Sequence, residues 1–142
     1  AHPEMALFIP LLAGMGGNVG TQSSAIVVQG LANNSLDSHH IFHHIAKEMV
    51  VALINATILS LMVYVYNFFL YGAVDIVTLS VPLSLFVVIL FASGFGTFIP
   101  LLLERIDINP AVATGPFIQI INDLSGMTFY MIISMILSSL MG

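Results

Sequence analysis

Asp123 is the only acid well inside a long apolar stretch of this sequence, with Gln119 one helical turn earlier, Asn122 beside it and Gly126 nearly one turn later. A second set of polar residues stands near the start of the chain. Asn18 and Gln22 are four apart and share a helix face, and Gln29 follows seven residues beyond on the same stripe. Pro10, Gly14, Gly16, Gly17 and Gly20 crowd the same stretch, so carbonyls freed there must face protein or water. Glycines and amides of this kind also serve close helix packing and interhelical hydrogen bonds, and both readings stay open. Asp123 is harder to explain by packing. An ionised carboxylate in hydrocarbon costs at least about 2.5 kcal/mol, and such residues mark ion pathways or proton relays.

No base is available to neutralise that carboxylate, because Lys47 and Arg105 belong to the ends of their stretches. A proton, a bound cation or cavity water must do so, and a cation is the economical choice. One carboxylate holds a divalent ion weakly, whereas a two-fold homodimer would bring two copies of Asp123 together on its axis. Mg2+ is typically bound through one or two carboxylates with its waters retained, while Ca2+ takes six to eight direct oxygen ligands. Hydrated Mg2+ suits the pair better, and Mn2+ fits nearly as well.

The elements that carry these residues follow from composition. The 142 residues are 58% hydrophobic and only 6% charged, with a mean hydropathy of +1.06, which points to lipid as the solvent. Seven acids against two bases leave no basic surface for nucleic acid. With no cysteine, thiolate chemistry is excluded. A helix needs about 20 mostly apolar residues to cross a ~30 Å hydrocarbon layer, and four runs meet that length. The expected architecture is an all-α polytopic transmembrane bundle, a single domain over residues 1–142, with spans at about 5–33, 45–71, 77–103 and 110–141. Counted from Pro110 at 1.5 Å per residue, Asp123 lies about 20 Å into the last span.

Lys47 opens the second span and Arg105 closes the third, so the two bases face one side of the membrane. The positive-inside rule makes the loops that carry them cytoplasmic and puts the C-terminus outside. The expected location is the cell (inner) membrane, crossed several times. An external start to the first span suggests that another helix precedes Ala1.

Pro10 to Gln22, with its Gly16-Gly17-Asn18-Val19-Gly20-Thr21-Gln22 block, is followed by Lys47-Glu48, by Asn109-Pro110-Ala111 leading to Gly115-Pro116, and by Asn122-Asp123-Leu124-Ser125-Gly126. In order and spacing these resemble the MgtE family of magnesium channels over nearly the whole chain. The resemblance implies a homodimer with five spans per subunit and an interface pore lined by the family's second and fifth helices, here the first and fourth spans. It further implies that Asp123 holds hydrated Mg2+, with Gly17, Asn18, Gln22, Gln119, Asn122 and Gly126 as candidates to line the pore. Against that pattern, the first helix and the cytoplasmic N and CBS regulatory domains are absent. Asn109 also stands where the family has Asp, which puts in doubt a charge role for that loop.

Glu48 and Glu104 are candidates for a cytoplasmic mouth, where acids concentrate cations, although exposed acids are usually just solvated. His39 with His43, and His40 with His44, have the i,i+4 spacing that binds Zn2+, but histidines at a membrane-surface helix start need no ligand. Asp37-Ser38 reads there as an N-cap. The expected function is therefore passive Mg2+ transport, with other divalent cations such as Mn2+ as further cargo, and lipid as the surroundings. Two alternatives remain: a proton-coupled transporter that cycles Asp123, and a structural membrane fragment. An intramembrane aspartyl protease would need two carboxylates in one site, and each chain supplies half a dyad, so no enzyme is expected.

Overall fold

The structure, a computed structural model, describes residues 3–142, with Ser38 described for its backbone alone. A short 3-10 segment, Pro3–Phe8, leads into α1 (Ile9–Ala32), with Pro10 in the first turn, where its missing N–H costs nothing. Helix α1 stops where Asn34 takes a left-handed φ of 54°, and the N–H groups of Ser35 and Leu36 fold back onto the Gly30 carbonyl. A Cβ on Gly30 would collide with the Leu36 side chain, which would have to move aside.

The Asp37 carboxylate caps the 3-10 turn Ser38–His40 by accepting from the His39 amide at 2.8 Å and contacting His40 Nδ1 at 3.1 Å. Helix α2 (Ile41–Tyr71) follows and ends at Gly72, whose φ of 93° suits glycine. Asp75 then caps α3 (Ile76–Arg105) by accepting from the Val77 amide at 2.8 Å. After a second left-handed residue, Asp107, the 3-10 segment Pro110–Ala113 precedes α4 (Pro116–Met141).

Pro110 therefore does not begin the last long helix. The Asn109 side chain accepts from the Ala111 amide, Ser24 Oγ donates to the Ala113 carbonyl at 2.6 Å, and Gly115 turns the chain with a φ of 60° before Pro116. Asp123 is seven residues into α4, an axial rise of about 10 Å rather than the 20 Å expected from Pro110.

Helix α3 is the hub, packing against α1, α2 and α4. Two thirds of its most apolar stretch (67%) is buried inside the molecule, against 17% for α2. Helix α2 leans chiefly on α3, and its hairpin is closed by two long bonds at 3.4 Å: Asn67 Nδ2 to the Val77 carbonyl, and Thr78 Oγ1 to the Asn67 carbonyl. The rest of α2 displays Val50, Leu53, Ile54, Ile58, Leu61, Met62 and Phe69 outward. So large an apolar surface fits lipid and not water.

Among the described residues, three elements are long and apolar enough to cross a membrane: α2, α3 and Pro110–Met141. Helix α1 has the length, but its glycines, Asn18, Gln22 and Gln29 dilute its apolar content below that of the other three. Small residues let α1, α3 and α4 meet closely. A Cβ on Gly96 would strike the Gly20 carbonyl, one on Gly16 would lie 2.9 Å from Val88 Cγ1, and one on Gly126 would lie 3.2 Å from the Leu12 carbonyl oxygen. Tyr130 OH donates to the Met5 carbonyl at 2.9 Å and ties the 3-10 segment at the start of the chain to α4.

The up-and-down order puts the connections 33–40 and 106–115 at one end of the bundle and 72–75 at the other. Lys47 and Arg105 consequently stand towards the same end.

Candidate metal centre

The seam between α1 and α4 is built on the glycines of α1. Gly17 has no side chain, and the Asp123 carboxylate occupies the vacated space: a Cβ there would lie 2.9 Å from Asp123 Oδ1 and 3.2 Å from Gln119 Cγ. One turn later, Gly20 is covered by Asn122, whose side-chain nitrogen a Cβ would overlap. Neighbours in sequence thus point about 100° apart, Asn122 into the seam and Asp123 to its edge.

Asn122 is buried, at 1% exposure, and its Nδ2 donates back to the Ile118 carbonyl at 2.9 Å while Oδ1 has no partner. Asp123 is half-buried. Its Oδ1 lies against α1 without a hydrogen bond, and no ion pair reaches it among the described residues. A buried acceptor of this kind is costly unless something supplies positive charge or a proton.

The other candidate pore residues divide between the seam and its outside. Gly17 and Gly126 are buried in the helix contact, with Asn122. Asn18 and Gln119 are exposed, and the Asn18 carbonyl accepts from Thr21 Oγ1 at 3.1 Å, so both side chains are free to face water or another chain. Gln22 is also exposed but lies five residues past Gly17, roughly 140° around the helix, and lines a different cavity against α2.

Glu48 is half-buried and lines that same cavity, and Glu104 is exposed in the last turn of α3. His43 and His44 have ring centroids 5.9 Å apart, and His44 Nε2 is buried without a partner. No group of three or more metal-capable side chains comes together among the described residues. What the described residues bring together at the seam is therefore a single carboxylate.

A family model described as "Divalent cation transporter" matches residues 9–133, from the first residue of α1 through most of α4. The chain belongs to the MgtE family. It is 30% identical over 142 residues to the magnesium transporter MgtE of Thermus thermophilus, covering 96% of this chain and 30% of that protein. It is 30% identical over 126 residues to the MgtE of Bacillus subtilis, covering 89% of this chain and 28% of the relative. The Enterococcus faecalis MgtE is likewise 30% identical, over 132 residues. The chain spans under a third of the length of these MgtE proteins, which are named as transporters rather than enzymes.

Sequence reasoning reached Asp123 and Gly17 separately and did not pair them. It also passed over Ser23, Asn55 and Ser93, which join Gln22 and Glu48 at the second cavity. A signal existed, since Glu48 and Asn55 are seven apart and so share one face of α2.

Proposed function

We propose that this chain is the ion-conducting part of a magnesium transporter, acting as a homodimer in the cell membrane with the Asp123 carboxylates of both copies facing a shared pore. The observation that carries this reading is an acid at the edge of the α1–α4 seam with one buried, unpartnered oxygen and no base to neutralise it. Membership of the MgtE family and the names of its magnesium-transporting relatives support Mg2+ as the cargo.

Two such carboxylates would attract a divalent cation and accept hydrogen bonds from its water shell, so the ion passes without full dehydration. The exposed amides of Asn18 and Gln119 supply neutral donors and acceptors beside that path. Transport is passive, driven by the electrochemical gradient, and Mn2+ is admitted by the same chemistry. In this assembly the connections at 33–40 and 106–115 face the cytoplasm, where regulatory domains on the remainder of the protein would act.

The test is flux of Mg2+ and Mn2+ into liposomes containing the purified chain, for wild type and Asp123→Asn. Loss of uptake in the variant, with helicity retained, is expected; unchanged uptake would remove Asp123 from the path. The unpartnered Oδ1 also favours a second reading, in which Asp123 carries a proton and transport is proton-coupled. Stoichiometric alkalinisation or acidification of the lumen during uptake would establish that reading instead.

A further inference from the structure

Gly16 and Gly20 are four apart on one face of α1 and leave a notch there. Asn122 of α4 fills it. A Cβ on Gly20 would overlap Asn122 Nδ2 and come within 2.9 Å of its Cγ, and one on Gly16 would lie 3.2 Å from the Asn122 carbonyl oxygen. The carboxamide is oriented from within α4, because Nδ2 donates to the Ile118 carbonyl at 2.9 Å while Oδ1 has no partner. The knob is thus held in one orientation without a hydrogen bond to α1.

Little else among the described residues fixes the rotation of α4 at this level. The residues that α4 buries fall on one stripe: Ile118, Asn122, Gly126, Tyr130 and Ser134. Gly126 has no side chain, so Asn122 is the one side chain of the stripe that enters the contact between Ile118 and Tyr130. The long-range hydrogen bonds on this side, Ser24 to Ala113 and Tyr130 to Met5, lie outside that interval or at its end. Asp123 is the next residue, about 100° around the helix, and its Oδ1 lies over Gly17, the neighbour of Gly16. A turn of α4 by about 20° would carry a carboxylate at a side-chain radius of about 5 Å through roughly 2 Å. A binding site must hold its groups to within about 0.5 Å.

We infer that Asn122 is a positioning residue for the Asp123 site: wedged in the notch between Gly16 and Gly20, it sets the rotation of α4 against α1 and thereby the point at which the carboxylate meets the ion. The inference rests on the reading of Asp123 as the cation site.

The test uses the full chain in phosphatidylcholine nanodiscs, with Mn2+ affinity from electron paramagnetic resonance and stability from thermal midpoints. Asn122→Ala removes the knob and keeps every acid, and should weaken Mn2+ binding at least tenfold with helicity retained. Asn67→Ala, in the buried α2–α3 hairpin towards the 72–75 end of the bundle, is the control for lost stability. It should lower the midpoint and leave the affinity unchanged. Adding Gly20→Ala to Asn122→Ala refills the notch from the α1 side, so the double variant should bind more tightly than either single variant, a coupling that general destabilisation does not produce. Should Asn122→Ala fail to fold, Asn122→Ser shortens the knob by less and is read in the same way. Wild-type affinity in the folded Asn122 variant, an equal loss in Asn67→Ala, or a double variant no better than Asn122→Ala would overturn the inference. Unchanged binding in Asp123→Asn would instead remove the Asp123 site itself, so the two failures are told apart.

Discussion

Asp123 and Gly17 work as a pair, because the carboxylate sits where any other residue of α1 would place its side chain. Replacing Asp123 with Asn removes the charge and keeps the shape. Divalent affinity should fall at least tenfold, about 1.4 kcal/mol, in Mn2+ titrations followed by electron paramagnetic resonance, with circular dichroism unchanged. Gly17→Val tests the pairing from the other side. Its methyl groups would push Asp123 Oδ1 out of the seam, so ion binding should weaken although every acid remains, and retention of wild-type affinity would show that the carboxylate's position is unimportant. Asp123 was legible in the sequence because an acid with apolar neighbours and no base needs an explanation. Its contact with Gly17 was not legible, since the facing of two helices depends on rotation about their axes and not on either sequence alone. Asn122 illustrates the difference: one residue from Asp123, it turns inward and fills the groove over Gly20.

At the scale of elements, the α1–α4 contact depends on small residues, and enlarging one should have a measurable cost. Gly20→Ala would drive Asn122 out of its place, destabilising the bundle by roughly 1–3 kcal/mol as overpacking does, read as a lower midpoint in thermal or denaturant unfolding. The connection before α2 has its own pH dependence. The His39 amide, and to a lesser degree the His40 side chain, hold the Asp37 carboxyl below the usual carboxylate range. The cap is thus fully formed above the unfolded value of 3.8 and is lost as pH falls through the lower folded value. Exchange of the His39 amide should accelerate over that acidic window in the wild type and be fast at all pH values in Asp37→Ala. The long helices could be read from apolar run length, yet the start of α4 could not. Pro110 and Pro116 are both good first-turn residues, and the choice falls to Pro116 because Ser24 holds the Ala113 carbonyl and Gly115 breaks the path between them.

For the whole molecule, the arrangement around α3 sets where stability is concentrated. Its buried face meets the other three helices, while α2 has a single main neighbour and a broad lipid-facing side. Hydrogen exchange in nanodiscs should therefore be slowest in α3 and faster along α2, and equal protection of the two would contradict this hierarchy. The membrane class followed from composition, and the helical architecture from the length of the apolar runs. The hub role of α3 did not, because mean hydropathy cannot tell a helix neighbour from a lipid tail; the signal lay in the small polar residues Thr78, Ser80, Ser84, Ser93 and Thr97, which α3 buries.

Attachment of α2 along one edge also has a mechanical meaning. A rod hinged in this way tilts more easily than one clamped on several sides, and the chamber holding Glu48 lies between that rod and α1. A small swing of α2 would widen or narrow this chamber while the glycine-lined junction carrying Asp123, on the far flank of α1, kept its shape. The two acids thus belong to separately adjustable compartments of one chain.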